Sequence, residues 1–228
     1  MNDRHIALAI TGASGAVYGL RLAEEILASG HRLSMLISRP GFAVLQEECG
    51  LSWEGNAAEV TSSIQDYFGS ALRARPGKAC FAPTYYSEDD FFSHLASGSS
   101  APDAMVVAPC SMGTLARIAT GLSGNLLERA ADVAIKEGRP LVLVPRETPL
   151  SAIHLENMLK LARLGVRIVP AMPGFYAKPQ SVADLVDFVV GKVLDQLVIA
   201  HTLFARWSDV SASPSSPAEG GRRSGEGA

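Results

Sequence analysis

Arg146 and Glu147 put a guanidinium and a carboxylate side by side, directly after the apolar run LVLVP and before a second proline. Solvation of a helix flank explains such a pair poorly, and a carboxyl held at a cleft beside an arginine can carry or accept a proton. Pairing of the two with each other is the plain structural alternative. A second apolar run ends in APCSM, so that Ser111, Met112, Gly113 and Thr114 open a helix. Hydroxyls beside the unsatisfied N–H groups of a helix start make a ready phosphate cradle, while simple capping by Ser111 explains the same residues without a ligand. The third such place is TGASGAVYG, where Gly12, Gly15 and Gly19 follow IALAI. Glycines there let a ligand approach the backbone, and a tight turn would need them as well. Their spacing departs from GxGxxG, and no acidic residue closes the second apolar run at Ser38, so a mononucleotide fits better than a dinucleotide.

Cationic and aromatic side chains supply further candidates. Arg129 and Lys136 lie seven apart in NLLERAADVAIKEG with Asp132 between them, a spacing that a surface salt-bridge ladder explains by itself. PAMPGFYAKPQS carries Tyr176 and Lys178, Lys192 follows in the next helical pattern, and Trp207 stands just before a polar tail. Tyr176 and Trp207 also read as ordinary packing residues. Trp207 needs something to pack on, and a neighbouring subunit is the natural surface. Cys110 reads as a small buried hydrophobe more readily than as an activated thiol.

Buried strands alternating with helices must position these groups. Strand-like runs fall at 6–11, 32–38, 104–109, 141–145 and 166–171. Helical patterns between most of them predict an α/β fold: a single-domain, Rossmann-like or flavodoxin-like, doubly wound parallel sheet. Ligands of such sheets bind outside the strand carboxyl ends, which places Ser111, Arg146 and Glu147 in one cleft. Thr148 is expected to cap a helix beginning at Pro149, with Ile153, Leu155, Met158, Leu159 and Ala162 on one face and Gly165 as its stop. Ser181 is expected to start the helix VADLVDFVVGKVLDQL. Over 51–100 the periodicity fades, giving a short helix, an edge strand near Cys80 and a loop ending in ASGSS. The domain is read over 1–207, followed by a disordered tail over 208–228 with nothing apolar to bury beyond Val210.

The 228 residues, 47% hydrophobic and 19% charged, suffice for one core and are too few for two full domains. A net charge of -3 gives no general attraction to nucleic acid or to an anionic membrane. No apolar stretch approaches bilayer-spanning length, and MNDRHIALAI enters a strand without a signal-peptide core, so a soluble cytoplasmic protein is expected. Cys49, Cys80 and Cys110 are odd in number and widely spaced, and the histidines form neither HxxxH nor HExxH. Neither a disulfide framework nor a metal site is expected.

The TGASG loop, APCSMGTLA, ERAADVAIKEGRPLVLVPRETPLS, HLENMLKLARLG and PAMPGFYAKPQSVADLVDFVVGKVLDQL together resemble the UbiX-type flavin prenyltransferases over nearly all of residues 6–207. The resemblance implies transfer of a dimethylallyl group from dimethylallyl monophosphate to N5 and C6 of reduced FMN, closing a fourth ring. The prenylated FMN then serves a UbiD-type decarboxylase, with a link to ubiquinone biosynthesis. By resemblance, FMN is held by Gly12, Ala13, Ser14, Ser38, Ser111, Met112, Gly113, Thr114 and Arg146. The dimethylallyl phosphate falls to Arg129, Lys136, Arg146, Tyr176 and Lys192. Glu147 and Ser14 would handle protons, Lys136 would join the catalytic set, and Trp207 would line the prenyl pocket. Lys192 stands where some members have Arg, and Gly113 where some have Lys; a lysine gives up bidentate phosphate geometry.

Breaking an allylic carbon–oxygen bond leaves a phosphate dianion and a delocalised cation, which calls for cations at one end and an aromatic wall at the other. Convergence of Lys136, Arg146 and Lys192 would do this without metal, and no DDxxD-like pair is present; Asp89–Asp90 is the nearest. Either Glu147 or the departed phosphate could take the C6 proton. The family also implies a homo-oligomer, a dodecamer, with sites at subunit interfaces. Two other readings stay open: an FMN-dependent cysteine decarboxylase, which should carry a histidine in the first helix where this chain has AVYGLRLAEEIL, and a non-catalytic FMN-binding module.

Overall fold

The computed structural model describes residues 3–72 and 81–207. Along the chain come β1 (His5–Ile10), α1 (Ala16–Ala28), β2 (Arg32–Ile37), α2 (Arg39–Cys49), α3 (Ala57–Leu72) and β3 (Thr84–Tyr86). Two short 3-10 turns, His94–Ala96 and Gly98–Ser100, lead into β4 (Ala104–Cys110), α4 (Met112–Thr120), α5 (Leu126–Lys136) and β5 (Leu141–Pro145). The chain continues through α6 (Ala152–Arg163), β6 (Arg167–Ile168) and α7 (Val182–Leu197).

The six strands are all parallel, in the order β3-β2-β1-β4-β5-β6, the order of a doubly wound sheet of Rossmann type. β1 pairs with both β2 and β4, so the direction of winding reverses beside it and opens a crevice at the carboxyl ends. Continuous burial of β4 and β5 follows from helices covering both faces. On one side Leu22 and Ile26 of α1, Ile64 and Phe68 of α3 and Leu194 of α7 pack on the sheet. On the other, Leu115 of α4, Leu127 of α5 and Leu161 of α6 close a second core.

Four local expectations are corrected. α6 is capped by Ser151, not Thr148: Ser151 Oγ accepts from His154 N at 3.3 Å while His154 Nδ1 accepts from Ser151 N at 3.2 Å. This reciprocal box satisfies two groups at once, and Pro149 stays outside the helix. The expected inner face of α6 is largely outer, with Ile153 67%, Leu155 53% and Leu159 51% exposed. β6 is shorter than 166–171, although Val169 N and Ala171 N still donate to Leu143 O and Pro145 O along β5. α3 is a full helix of 16 residues, its face Val60, Ile64 and Phe68 at helical spacing, and the edge strand lies at Thr84–Tyr86. Cys80 and the tail 208–228 lie outside the described residues. Ser181 caps α7 as expected, in a box with Asp184.

Candidate active site

Four strand ends meet around Thr11, which is fully buried where β1 gives way to the glycine loop. Its hydroxyl donates to Pro109 O at 2.8 Å and accepts from Ser111 N at 2.8 Å, stitching the ends of β1 and β4 across the switch point. Beside it, Ser38 and Ser111 cap α2 and α4, accepting from Gly41 N at 3.1 Å and Thr114 N at 3.2 Å. The Ser111 hydroxyl also donates to Thr114 Oγ1 at 3.0 Å. The first N–H groups of α4, at Met112 and Gly113, have no preceding helical carbonyl to receive them and are available to an anion.

A cavity of about 290 Å³ opens here, lined by Gly12, Ser38, Pro40, Ser111, Gly113 and Thr114 on one side and by Glu88, Arg117, Asn125, Leu127 and Glu128 on the other. A Cβ on Gly12 would stand 2.4 Å from the Pro40 Cβ, so only glycine lets the first two loops close around this space. The Met112 side chain is buried in the core, which leaves its backbone as the group it offers. Ala13 is buried as well. One cradle and a space of this size suit a mononucleotide phosphate such as that of FMN.

Arg146 and Glu147 follow β5, at the same carboxyl edge of the sheet. Arg146 Nε donates to Ser14 O at 3.0 Å, joining the fifth strand end to the first loop. Among the described residues no ion pair links Arg146 to Glu147; Glu147 Oε1 accepts only from Thr148 N in its own turn, at 3.0 Å. The structural-pair alternative is thereby set aside.

Glu48, which sequence reasoning missed, completes this corner. From α2 its Oε2 accepts from Gly15 N at 2.8 Å and Ala16 N at 3.0 Å. Burial pushes its carboxyl up, but hydrogen bonds from Ser14, Gly15 and Ala16, with Arg146 nearby, outweigh burial and hold it below the usual glutamate value. The N–H groups at the start of α1 are therefore met by a carboxylate of this chain.

The remaining predicted residues do not converge with Arg146 inside one chain. Lys136 ends α5 and pairs with Glu137; Gly138 to Pro140 then lead into the start of β5, so Lys136 and Arg146 stand at opposite ends of that strand. Arg129 is held by Asp132 at 2.8 Å and Ala96 O at 3.2 Å, as a salt-bridge ladder predicts. Lys192 lies over the rings of Phe188 and Phe204, 5.5 and 5.0 Å from their centroids. Tyr176 meets Phe188 and Trp207 edge-on at 5.5 and 5.3 Å. Within one chain these three cations, Lys136, Arg146 and Lys192, occupy three separate surroundings.

Cys110 is fully buried and its thiol is pushed up to about 12 by that burial, consistent with a packing role. Among the described residues no helix is long and apolar enough to cross a membrane, and no group of three or more His, Cys, Asp or Glu could hold a metal ion.

Residues 1–194 match the family model described as Flavoprotein. A flavin prenyltransferase UbiX of Halalkalibacterium halodurans is 50% identical over 200 residues, covering 88% of this chain and 91% of that protein. The flavin prenyltransferase UbiX of Pseudomonas aeruginosa is 48% identical over 204 residues, 90% of this chain and 94% of its own. Among solved structures, AnUbiX in complex with FMN and dimethylallyl pyrophosphate superposes with a TM-score of 0.76 at 35% identity, covering 90% of this chain and 98% of that one. A dodecameric FMN-dependent UbiX-like decarboxylase of Escherichia coli O157:H7 gives 0.75 at 39% identity, with coverage of 89% and 98%. A PPC decarboxylase, at 19% identity and a TM-score of 0.56, shares the fold alone. At the identity and coverage of its UbiX relatives, this chain belongs to the UbiX flavin prenyltransferase family.

Proposed function

We propose that the protein transfers the dimethylallyl group of dimethylallyl monophosphate to N5 and C6 of reduced FMN, releasing phosphate, and passes the prenylated flavin to a UbiD-type decarboxylase. The observation that carries this reading is the corner where Arg146 and Glu48 both fasten the Ser14 loop, with Glu147 beside Arg146, at the same strand ends as the cavity lined by Gly12, Ser38 and Ser111. Reduced FMN supplies the nucleophilic ring atoms. The Ser111, Met112, Gly113 and Thr114 turn and Ser38 take its phosphate end. Arg146 offers a fixed guanidinium where the donor's carbon–oxygen bond breaks and negative charge grows on the leaving phosphate. In this reading Glu147 takes the C6 proton, with the departing phosphate as the alternative base. Ser14 and Glu48 form a second proton-handling pair.

Lys136, Arg129, Lys192, Tyr176 and Trp207 enter this reading from other copies of the chain. Its support is the set of exposed apolar side chains Ile153, Leu155, Leu159 and Leu164 along and just after α6, with Phe175 in the loop after β6. A closed homo-oligomer, a dodecamer as in the Escherichia coli relative, would cover it and bring the second set of cations to the strand-end cleft. The relative bound to a diphosphate leaves the donor's phosphate number to experiment; single cationic side chains around one cradle favour the monophosphate. A cytoplasmic location belongs to the same reading and is supported by the free thiols Cys49 and Cys110.

The test is to add dimethylallyl monophosphate to the protein holding reduced FMN and to follow the flavin absorbance. A spectral change that depends on both compounds supports transferase activity. A flavin that stays unmodified, while binding stoichiometrically, would leave only an FMN-binding module.

A further inference from the structure

The segment that follows α7 is strapped down by polar side chains that the proposed chemistry does not use. Val198, at φ 57, reverses the chain, and the N–H groups of Val198 and Ile199 return to Asp195 O and Leu194 O at 3.2 and 3.0 Å. Residues 199–207 then lie against α7 at Gly191, where a Cβ would stand 2.5 Å from the Phe204 ring and 2.7 Å from the His201 ring.

Asp195 is the anchor. Arg206 reaches it with both terminal nitrogens, Nη1 to Oδ2 and Nη2 to Oδ1, each at 2.8 Å, a bidentate fork. His201, its side chain 1% exposed, meets the same carboxylate through Nε2 at 3.2 Å. Its Nδ1 accepts the Leu203 N–H at 3.3 Å, which leaves Nε2 to donate. Burial pushes the Asp195 carboxyl up, and the bonds from Arg206 and His201 outweigh it and keep the group ionised below the usual aspartate range. Arg206 also stacks over Phe204 at 5.4 Å, and Lys192 lies over the same ring at 5.0 Å. Trp207 is the next residue: its indole is 66% exposed and meets Tyr176 edge-on. One exposed edge contact does not fix an indole, whereas a two-pronged ion pair one residue away does restrict it.

We propose that Asp195, His201 and Arg206 are positioning residues, a clamp that holds the strap on α7 and thereby sets Trp207 as a wall of the prenyl pocket. This rests on the reading of Trp207 as part of that pocket.

Full-length protein carrying Arg206→Gln, Arg206→Lys or Asp195→Asn is compared with wild type in two measurements. The first is acrylamide quenching of tryptophan fluorescence without FMN, where Trp53, 7% exposed, is protected, so that a difference between variant and wild type in the same assembly reports Trp207. The second separates kcat, the KM for dimethylallyl monophosphate and FMN affinity. Arg206→Gln and Asp195→Asn should raise Trp207 quenching and raise that KM about threefold or more, with FMN affinity unchanged. Arg206→Lys should fall between, because charge returns without the fork. The double variant should be no worse than either single one, since both break one unit. Unchanged quenching in Arg206→Gln, or altered quenching with an unaltered KM, overturns the proposal. Should wild type transfer no prenyl group, the functional reading fails, and the quenching data still decide whether the clamp exists.

Discussion

Glu147 and Glu48 flank Arg146 with different obligations. Glu48 is committed to two backbone N–H groups at the start of α1, whereas among the described residues Glu147 accepts only from its own turn. Glu147→Gln removes charge and keeps shape, so FMN should still bind while prenyl transfer slows about a hundredfold or more, measured as single-turnover rate against FMN affinity. Wild-type turnover would assign the C6 proton to the phosphate. Glu48 makes a prediction about stability. Its carboxyl is depressed in the folded state, so its contribution is fully present above the ordinary glutamate value of about 4.3 and is lost as pH falls through the lower folded value. The gap in Tm between wild type and Glu48→Gln should therefore narrow in acid; a gap that ignores pH would contradict this. The two carboxylates also differed in legibility. Glu147 announces itself beside Arg146 in a turn, but Glu48 sits in QEEC, which reads as a solvated helix flank, and its partner Gly15 is 33 residues away.

Among the elements, α7 and α6 mark the limits of pattern reading. α7 is legible because Ser181, a good cap by type, stands directly before VADLVDFVVGKVLDQL; the structure adds the box with Asp184. Ser181→Ala should cost about 1 kcal/mol in denaturant unfolding, through loss of the bond to Asp184 N. A cost indistinguishable from zero would mean that packing alone starts the helix. α6 has equally clear apolar spacing, yet only Leu161 is fully buried in its own core. Period alone cannot say whether an apolar stripe faces the inside of one chain or the surface of another. Thr148 and Ser151 are both good caps by type, and His154, which answers Ser151 three residues on, decides between them.

For the whole molecule, the parallel sheet follows from alternating strands and helices, and Ser38, Ser111 and Arg146 each stand just after a strand's carboxyl end, as that alternation implies. What alternation does not encode is distance across a layer. Lys136 and Arg146 are ten residues apart in sequence and a full strand apart in space, so their cooperation requires another copy of the chain. Leu159→Glu, a charge on the exposed face of α6, should leave the fold intact, reduce the mass seen by light scattering and abolish transfer. An active monomer would refute the shared site. The most direct test of the account is to incubate the protein with reduced FMN and dimethylallyl monophosphate in excess chelator and to weigh the flavin product by mass spectrometry. Prenylated FMN, formed without metal and faster than from the diphosphate, is the result expected; unmodified FMN, or a product that appears only with magnesium and the diphosphate, would contradict it.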